Sequence, residues 1–262
     1  PSRTIPAAWA AVVLILGLPV AAAAQGAISA DSDSVATSSV RHPQTAIRPW
    51  HAAVAVGGIA VLSLLDEPLH RATQNMRTST TDDVASVFRH MGQPEVYATV
   101  GLGTIGVGLI AGNRRITQSG IRISSSLLLA GVAGQIVKRI VGRWRPYETD
   151  NAYTFTPFTT QHDAFYSGHT TMAFALAASV SDEVHKTWVT VGLYTFATGT
   201  AWSRMNDEKH WFTDGVTGAL MGIASAKFVN GQWRVFGISA PRFLLGPEGA
   251  GFSVTLPMPI IH

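Results

Sequence analysis

Between Trp50 and Val229 apolar runs alternate with abrupt stops, and nothing else in the sequence constrains the fold as strongly. The runs cover 50–65, 95–112, 119–142, 169–182, 187–202 and 212–229 and are rich in Ala, Gly, Leu, Val and Ser. Gly92-Gln93-Pro94, Gly112-Asn113 and Arg145-Pro146 interrupt them; such residues cap, end or cannot continue a helix. The pattern predicts an all-α protein, a helical bundle of about six core helices. Segment 70–90 is amphipathic and predicts a further helix lying across the bundle. Asp66-Glu67-Pro68 reads as the end of the first helix or a turn after it, with Asp66, Glu67, Asp82 and Asp83 solvated.

Charged residues make up only 13% of the chain, about half the ~25% of ordinary soluble domains. Such a chain is either a tightly packed bundle or a membrane protein. The best single span, Val96 to Gly112, has 17 uncharged residues, five of them glycine. That is at the lower limit of the ~17–25 a crossing needs. Six spans starting outside would also leave Asn113-Arg114-Arg115 outside, against the positive-inside tendency. The expectation is therefore an exported globular bundle in the periplasm or cell envelope, with association to a membrane surface allowed. An integral membrane protein is the alternative. The net charge of +3 is small and the basic residues do not run together, so nucleic acid is not an expected partner. The lack of cysteine excludes disulfides and thiolate chemistry.

The ends differ from the middle. Arg3, the apolar stretch Ala7 to Leu18, and Ala22-Ala23-Ala24 before Gln25 read as a signal peptide over 1–24. Residues 25–49 are polar and read as a flexible linker, followed by a helical domain over 50–230. Over 231–262, two extended segments flank Gly246 to Gly251, and Phe252 to Leu256 alternates with period two. A short C-terminal β-hairpin or extended tail is expected there.

The charged residues that interrupt the apolar runs fall into three blocks. The first, Lys138 to Pro146, offers Lys138 and Arg145, which share a face if the helix continues to Pro146. Arg supplies a planar fork of donors and Lys a point charge, a suitable pair for a tetrahedral oxyanion. Arg139 and Arg143 read as solvated cations closing the helix. The second block, Tyr166-Ser167-Gly168-His169, lies at a helix N-terminus, where free N–H groups and the dipole favour an anion. His169 there has the chemistry of a general acid. In the third, His210 and Asp214 are four apart and Arg204 lies six residues upstream. A carboxylate beside an imidazole fixes its tautomer and readies it as a nucleophile. Taken singly, each block reads more readily as helix-end charge, a helix cap or a surface ion pair than as a site. Helices that alternate in direction bring all three to one end of the bundle.

The three blocks resemble the motifs K-x6-R-P, P-S-G-H and S-R-x5-H-x3-D of the type 2 phosphatidic acid phosphatase family, which also includes bacterial acid phosphatases and vanadium haloperoxidases. Lys138, Arg145 and Pro146 match the first, Ser167, Gly168 and His169 the second, and Ser203, Arg204, His210 and Asp214 the third. Tyr166 stands where the family usually has proline. The resemblance implies that His210 attacks phosphorus, oriented by Asp214, and that His169 protonates the leaving alcohol. Lys138, Arg145, Arg204, Ser167 and Gly168 would bind the phosphoryl oxygens, with no metal or cofactor; vanadate would act as a phosphate mimic and inhibitor. The expected function is a phosphatase acting on a phosphorylated small molecule, a lipid phosphate or a pyrophosphate. A vanadium-dependent haloperoxidase and a non-catalytic envelope protein are the alternatives. Pocket walls are expected from 66–94 and 147–166, with His162 and Asp163 as candidates to line it. The spacing Gly101-Leu102-Gly103-Thr104-Ile105-Gly106 mimics a dinucleotide fingerprint, but no strand precedes it, and it reads as helix-packing glycines.

Overall fold

The computed structural model describes residues 44–240 and the strands at 242–246 and 249–253. The signal peptide expected at 1–24 and most of the linker lie outside the described residues. The end of that linker is a strand, β1 (Thr45–Ile47), which pairs in parallel with β2 (Trp233–Val235) after the last helix. Eight α-helices are described: α1 (Pro49–Leu62), α2 (Asp66–Asn75), α3 (Ser79–Met91), α4 (Pro94–Ile110), α5 (Arg114–Val141), α6 (Gly168–Val184), α7 (Thr187–Asn206) and α8 (Phe212–Val229). The six apolar runs correspond to α1 and α4 to α8. The amphipathic segment is two helices rather than one, broken at Met76–Thr78, where Thr78 accepts the Thr81 N–H and opens α3. Asp66-Glu67-Pro68 begins α2 instead of closing α1, and a 3-10 turn over Ser63–Leu65 separates the two. Proline is tolerated in a first helical turn, because its missing N–H has no intrahelical partner to lose.

The core lies between α4, α5, α6 and α7, where Tyr97, Val100, Ile123, Leu127, Ala173, Leu176, Val180 and Val189 pack together. Small residues let α8 press against α6. A Cβ on Gly222 would stand 2.3 Å from the Thr171 carbonyl oxygen, and one on Gly218 would stand 2.7 Å from that of Ser167. The starts of α6 and α8 are thereby fixed side by side, and the Ser167 N–H donates to the Asp214 carbonyl at 3.0 Å. Of the glycines in α4, Gly101 packs closely on Ser124, whereas Gly103 and Gly106 face open space and have no packing role.

The outside of the bundle is unusually apolar. No residue of α1 is buried, and Trp50, Val54, Val56 and Val61 are all exposed. On α5, Leu128, Val132, Ile136 and Ile140 form an exposed row at helical spacing. Two helical stretches, Pro49–Asn75 and Arg114–Val141, are long and apolar enough to cross a membrane by length and composition. After α8, strands β3 (Arg242–Gly246) and β4 (Gly249–Ser253) form the expected hairpin, in register from Arg242↔Ser253 to Gly246↔Gly249. Its second strand starts three residues before the alternating segment, at Gly249.

Candidate functional site

The first block does not remain helical to Pro146. Helix α5 ends at Val141, and Gly142 adopts the left-handed conformation with φ 57°. Only glycine fits there, since a Cβ would overlap the Thr156 carbonyl oxygen at 1.8 Å. Lys138 and Arg145 therefore do not share a helix face. They meet through a third residue from the 147–166 loop. Asp163 accepts from the Nε and Nη2 of Arg145 at 2.9 and 2.6 Å, and its other carboxylate oxygen lies 3.5 Å from Lys138 Nζ. Lys138 also donates to the Asp163 carbonyl. Burial would raise the Asp163 carboxyl, but Lys138 and Arg145 outweigh it and hold it below the usual range. Of the two candidates, Asp163 thus belongs to the site, whereas His162 stacks on Trp144, with ring centroids 4.0 Å apart.

Ser167 is fully buried and caps α6 by position alone, with no side-chain bond to the helix N-terminus. Its hydroxyl accepts from Thr170 at 2.9 Å. Gly168 opens α6, and a Cβ there would meet no protein atom within 4 Å, so a ligand oxygen can approach the helix N-terminus closely. Tyr166, at the position the family gives to proline, is buried against Gly134 of α5 and lines packing rather than a pocket. The ring of His169 faces the α3–α4 turn, where a Cβ on Gly92 would lie 3.4 Å from its Cδ2. Both expected wall segments therefore reach the site.

Arg204 lies in the last turn of α7, only 8% exposed at its side chain, and 3.3 Å from Asp207. Its Nε–H is buried with no partner among the described residues. An orphaned charged donor is costly unless it faces an anion. Burial and the neighbouring cations Arg145 and Arg89, against Asp207, lower its pKa to about 10.

His210 precedes α8, and Trp211 is the N-cap. Asp214, three residues on, turns back to accept the Trp211 N–H at 2.8 Å. The His210 ring is buried, with Nδ1 2.8 Å from the Ala164 carbonyl oxygen and 3.7 Å from Asp214 Oδ2. The carbonyl is the nearer partner, so Nδ1 carries the hydrogen and Nε2 carries the lone pair. Asp214 thus acts as the charge behind the ring, and Ala164 as its hydrogen-bond acceptor. Sequence reasoning missed Ala164 because a backbone carbonyl leaves no residue-type signal. Burial pushes His210 down to about 4, against the pull of Asp214. His169 is pushed down to about 3 by burial and by the positive field of Arg204, Lys138 and Arg145. Both rings are neutral near pH 7.

The largest correction concerns Arg143 and Asp66, both read as solvated. Arg143 is 3% exposed and Asp66 is fully buried. Arg143 Nη1 donates to Asp214 Oδ1 at 2.7 Å and to Thr213 Oγ1 at 2.9 Å; Nη2 donates to Asp66 Oδ2 at 2.6 Å; and both Nε and Nη2 reach the Ala152 carbonyl. Asp66 also accepts the Thr213 N–H and hydroxyl, at 2.8 and 2.6 Å. Burial would raise the Asp214 carboxyl, but Arg143 outweighs it and holds it ionised. Removing one partner from so buried a pair costs about 3–5 kcal/mol. Arg139, by contrast, is exposed as expected. Among the four acidic residues expected in solvent, Asp82 and Asp83 remain at the surface, Asp82 paired with Arg77 at 2.8 Å.

The assembled geometry is three cations, one of them with an unused donor, converging with two neutral imidazoles and a helix N-terminus. It can bind a tetrahedral oxyanion and present a nucleophilic nitrogen to it. Comparison with known proteins bears on the fold and the family. No curated protein matches the chain. The crystal structure of LpxE from Aquifex aeolicus is 21% identical, covering 63% of this chain and 94% of its own, with a TM-score of 0.48. A phosphatidylglycerolphosphate phosphatase from Bacillus subtilis, described as the first transmembrane PAP2-type structure, is also 21% identical. It covers 70% of this chain and 90% of its own with a TM-score of 0.54, and so shares the fold. Residues 119–236 match the model of the PAP2 superfamily, a segment that contains every motif residue from Lys138 to Asp214. Over that segment the chain is similar to the PAP2 superfamily.

Proposed function

We propose that this phosphatase hydrolyses phosphate monoesters, lipid phosphates among them, without a metal and through a phosphohistidine on His210. The observation that carries the reading is the His210 ring itself. It is neutral, its Nδ1 is engaged by Ala164, which leaves the Nε2 lone pair for phosphorus, and Lys138 and Arg145 act on it electrostatically. In the first step Nε2 bonds to phosphorus as the ester oxygen leaves, and His169 gives that oxygen a proton. In the second step water attacks the phosphohistidine, His169 takes a proton from the water, and His210 departs. The cations and the α6 N-terminus hold the phosphoryl oxygens through both steps, supplying the charge that stabilises the transition state.

Lipid phosphates are favoured by the surface. The apolar exteriors of α1 and α5 suit a protein that works at a membrane, and the Bacillus subtilis structure of like fold is of a lipid phosphatase. Export by the leader read at 1–24 would place the site in the periplasm or cell envelope. The test is phosphate release in EDTA by the full chain, from a chromogenic phosphomonoester and from phosphatidic acid in micelles. EDTA-resistant release that vanadate inhibits is expected. No release from either substrate by folded protein would overturn the reading.

Asp163 gives this reading a second test. A phosphoryl group that uses both Lys138 and Arg145 must share or displace its carboxylate. Asp163→Asn removes the competing charge while keeping the shape. Inorganic phosphate and vanadate are expected to inhibit the variant about tenfold more tightly, the equivalent of one charge-assisted hydrogen bond. Inhibition constants are the measurement; unchanged or weaker inhibition would show that phosphate does not use these two cations.

A further inference from the structure

The Asp66–Arg143 pair touches none of the groups assigned to phosphate. All the nitrogens of Arg143 are engaged by Ala152, Thr213, Asp214 and Asp66, so this arginine is not a fourth phosphate cation. It is directed at Asp214, whose Oδ1 accepts from Nη1 at 2.7 Å. Charge counting shows what Asp66 adds. Asp214 held by Arg143 alone would be a neutral pair, with little field left for His210. Asp66 on the far side of the same guanidinium restores one net negative charge to the group. Thr213, next to Asp214 in the first turn of α8, links the Arg143 guanidinium to Asp66 by accepting from Arg143 and donating to Asp66.

We propose that Asp66 and Arg143 form a positioning unit for the nucleophile: Arg143 fixes the Asp214 carboxylate, and Asp66 supplies the second negative charge that lets Asp214 still stabilise the His210 ring as it becomes cationic on phosphorylation. The unit reaches from the first residue of α2 to the start of α8, so it sets the nucleophile from the N-terminal side of the bundle, outside the three motif blocks. It rests on the phosphohistidine reading for its catalytic meaning, and on geometry alone for its effect on the imidazole. The charged and titratable groups facing that ring are Asp214 from α8, Lys138 from α5, Arg145 and Asp163 from the intervening loop, and His169 from α6. A substitution at Asp66 replaces none of these side chains.

The test is Asp66→Asn in the full chain. In the variant kcat is expected to fall about 10- to 100-fold, as for loss of other outer-shell partners. Vanadate inhibition should stay within about twofold, because the phosphate cations are untouched. Independently of turnover, nitrogen-15 histidine spectra should show His210 titrating at lower pH than in the parent, since a negative charge behind the ring is gone. Asp66→Glu, which keeps the charge, should recover most of the lost kcat. If Asp66→Asn does not fold, Thr213→Val removes only the hydroxyl link and should show the same split, kcat lowered and vanadate inhibition kept. Parent-like kcat and an unmoved His210 titration would overturn the proposal. So would a joint loss of kcat, vanadate affinity and melting temperature, which marks a purely structural pin. A parent without phosphatase activity would sink the phosphohistidine reading, and the His210 titration would still decide the positioning claim.

Discussion

His210→Ala is expected to abolish phosphate release, lowering kcat by a factor of about 10⁴ or more, as removal of a covalent nucleophile does in other enzymes. The substitution deletes the buried ring but leaves Lys138, Arg145 and Arg204 in place. Vanadate and phosphate should therefore still bind the variant, within about an order of magnitude of the parent, because charge-assisted bonds to the oxygens carry that affinity. The split between binding and turnover separates a nucleophile from a ligand-binding residue. Steady-state rates with a chromogenic ester and vanadate protection in thermal melts measure the two halves. Loss of vanadate binding together with turnover would mean that His210 organises the cation cage rather than attacking phosphorus.

The second large effect is expected at His169. His169→Ala should lower kcat about 10²- to 10⁴-fold for an alkyl phosphate, the usual worth of a general acid. The loss should be much smaller for an aryl phosphate whose leaving group departs as a stable anion. The same residue shapes the pH dependence. In the free protein His169 is neutral, pushed down to about 3, and His210 is neutral above about 4. The proton for the leaving oxygen must then arrive with the substrate monoanion, whose second ionisation lies near ~6. Bound phosphate neutralises Lys138, Arg145 and Arg204, and the His169 ring can take that proton. kcat/KM reports free enzyme and free substrate, so it should fall below pH about 4, as His210 Nε2 becomes blocked. It should also fall above pH ~6, as the substrate loses its proton. A maximum above pH 8, or equal His169→Ala losses for both leaving groups, would contradict the assignment.

The bundle and the site were legible to different depths. The apolar runs and their stop signals located six helices, because helix burial leaves a long periodic trace. The break at Met76–Thr78 was not seen, since one turn between two amphipathic helices leaves the pattern nearly continuous. The three blocks were legible because charged residues next to apolar runs stand out. How they meet was not: Lys138 and Arg145 seemed to share a helix face, but Gly142 in the left-handed conformation ends the helix between them. Arg143 and Asp66 were read as solvated because each is charged and lies at a helix end. Their burial depends on a contact between residues 77 positions apart, which no local pattern reports. Ala164 left no signal, because its part is played by a backbone carbonyl.

The measurement that bears most directly on the mechanism is a rapid acid-free quench of the full chain turning over a phosphorus-labelled substrate in EDTA, followed by mapping of the label. Phosphate bound to His210, stable in alkali and lost in acid, is the expected outcome, and it should be missing from His210→Ala. Turnover with no label on the protein, or label on a side chain other than His210, would contradict a phosphohistidine route and leave direct attack by water on a phosphate held by Lys138, Arg145 and Arg204.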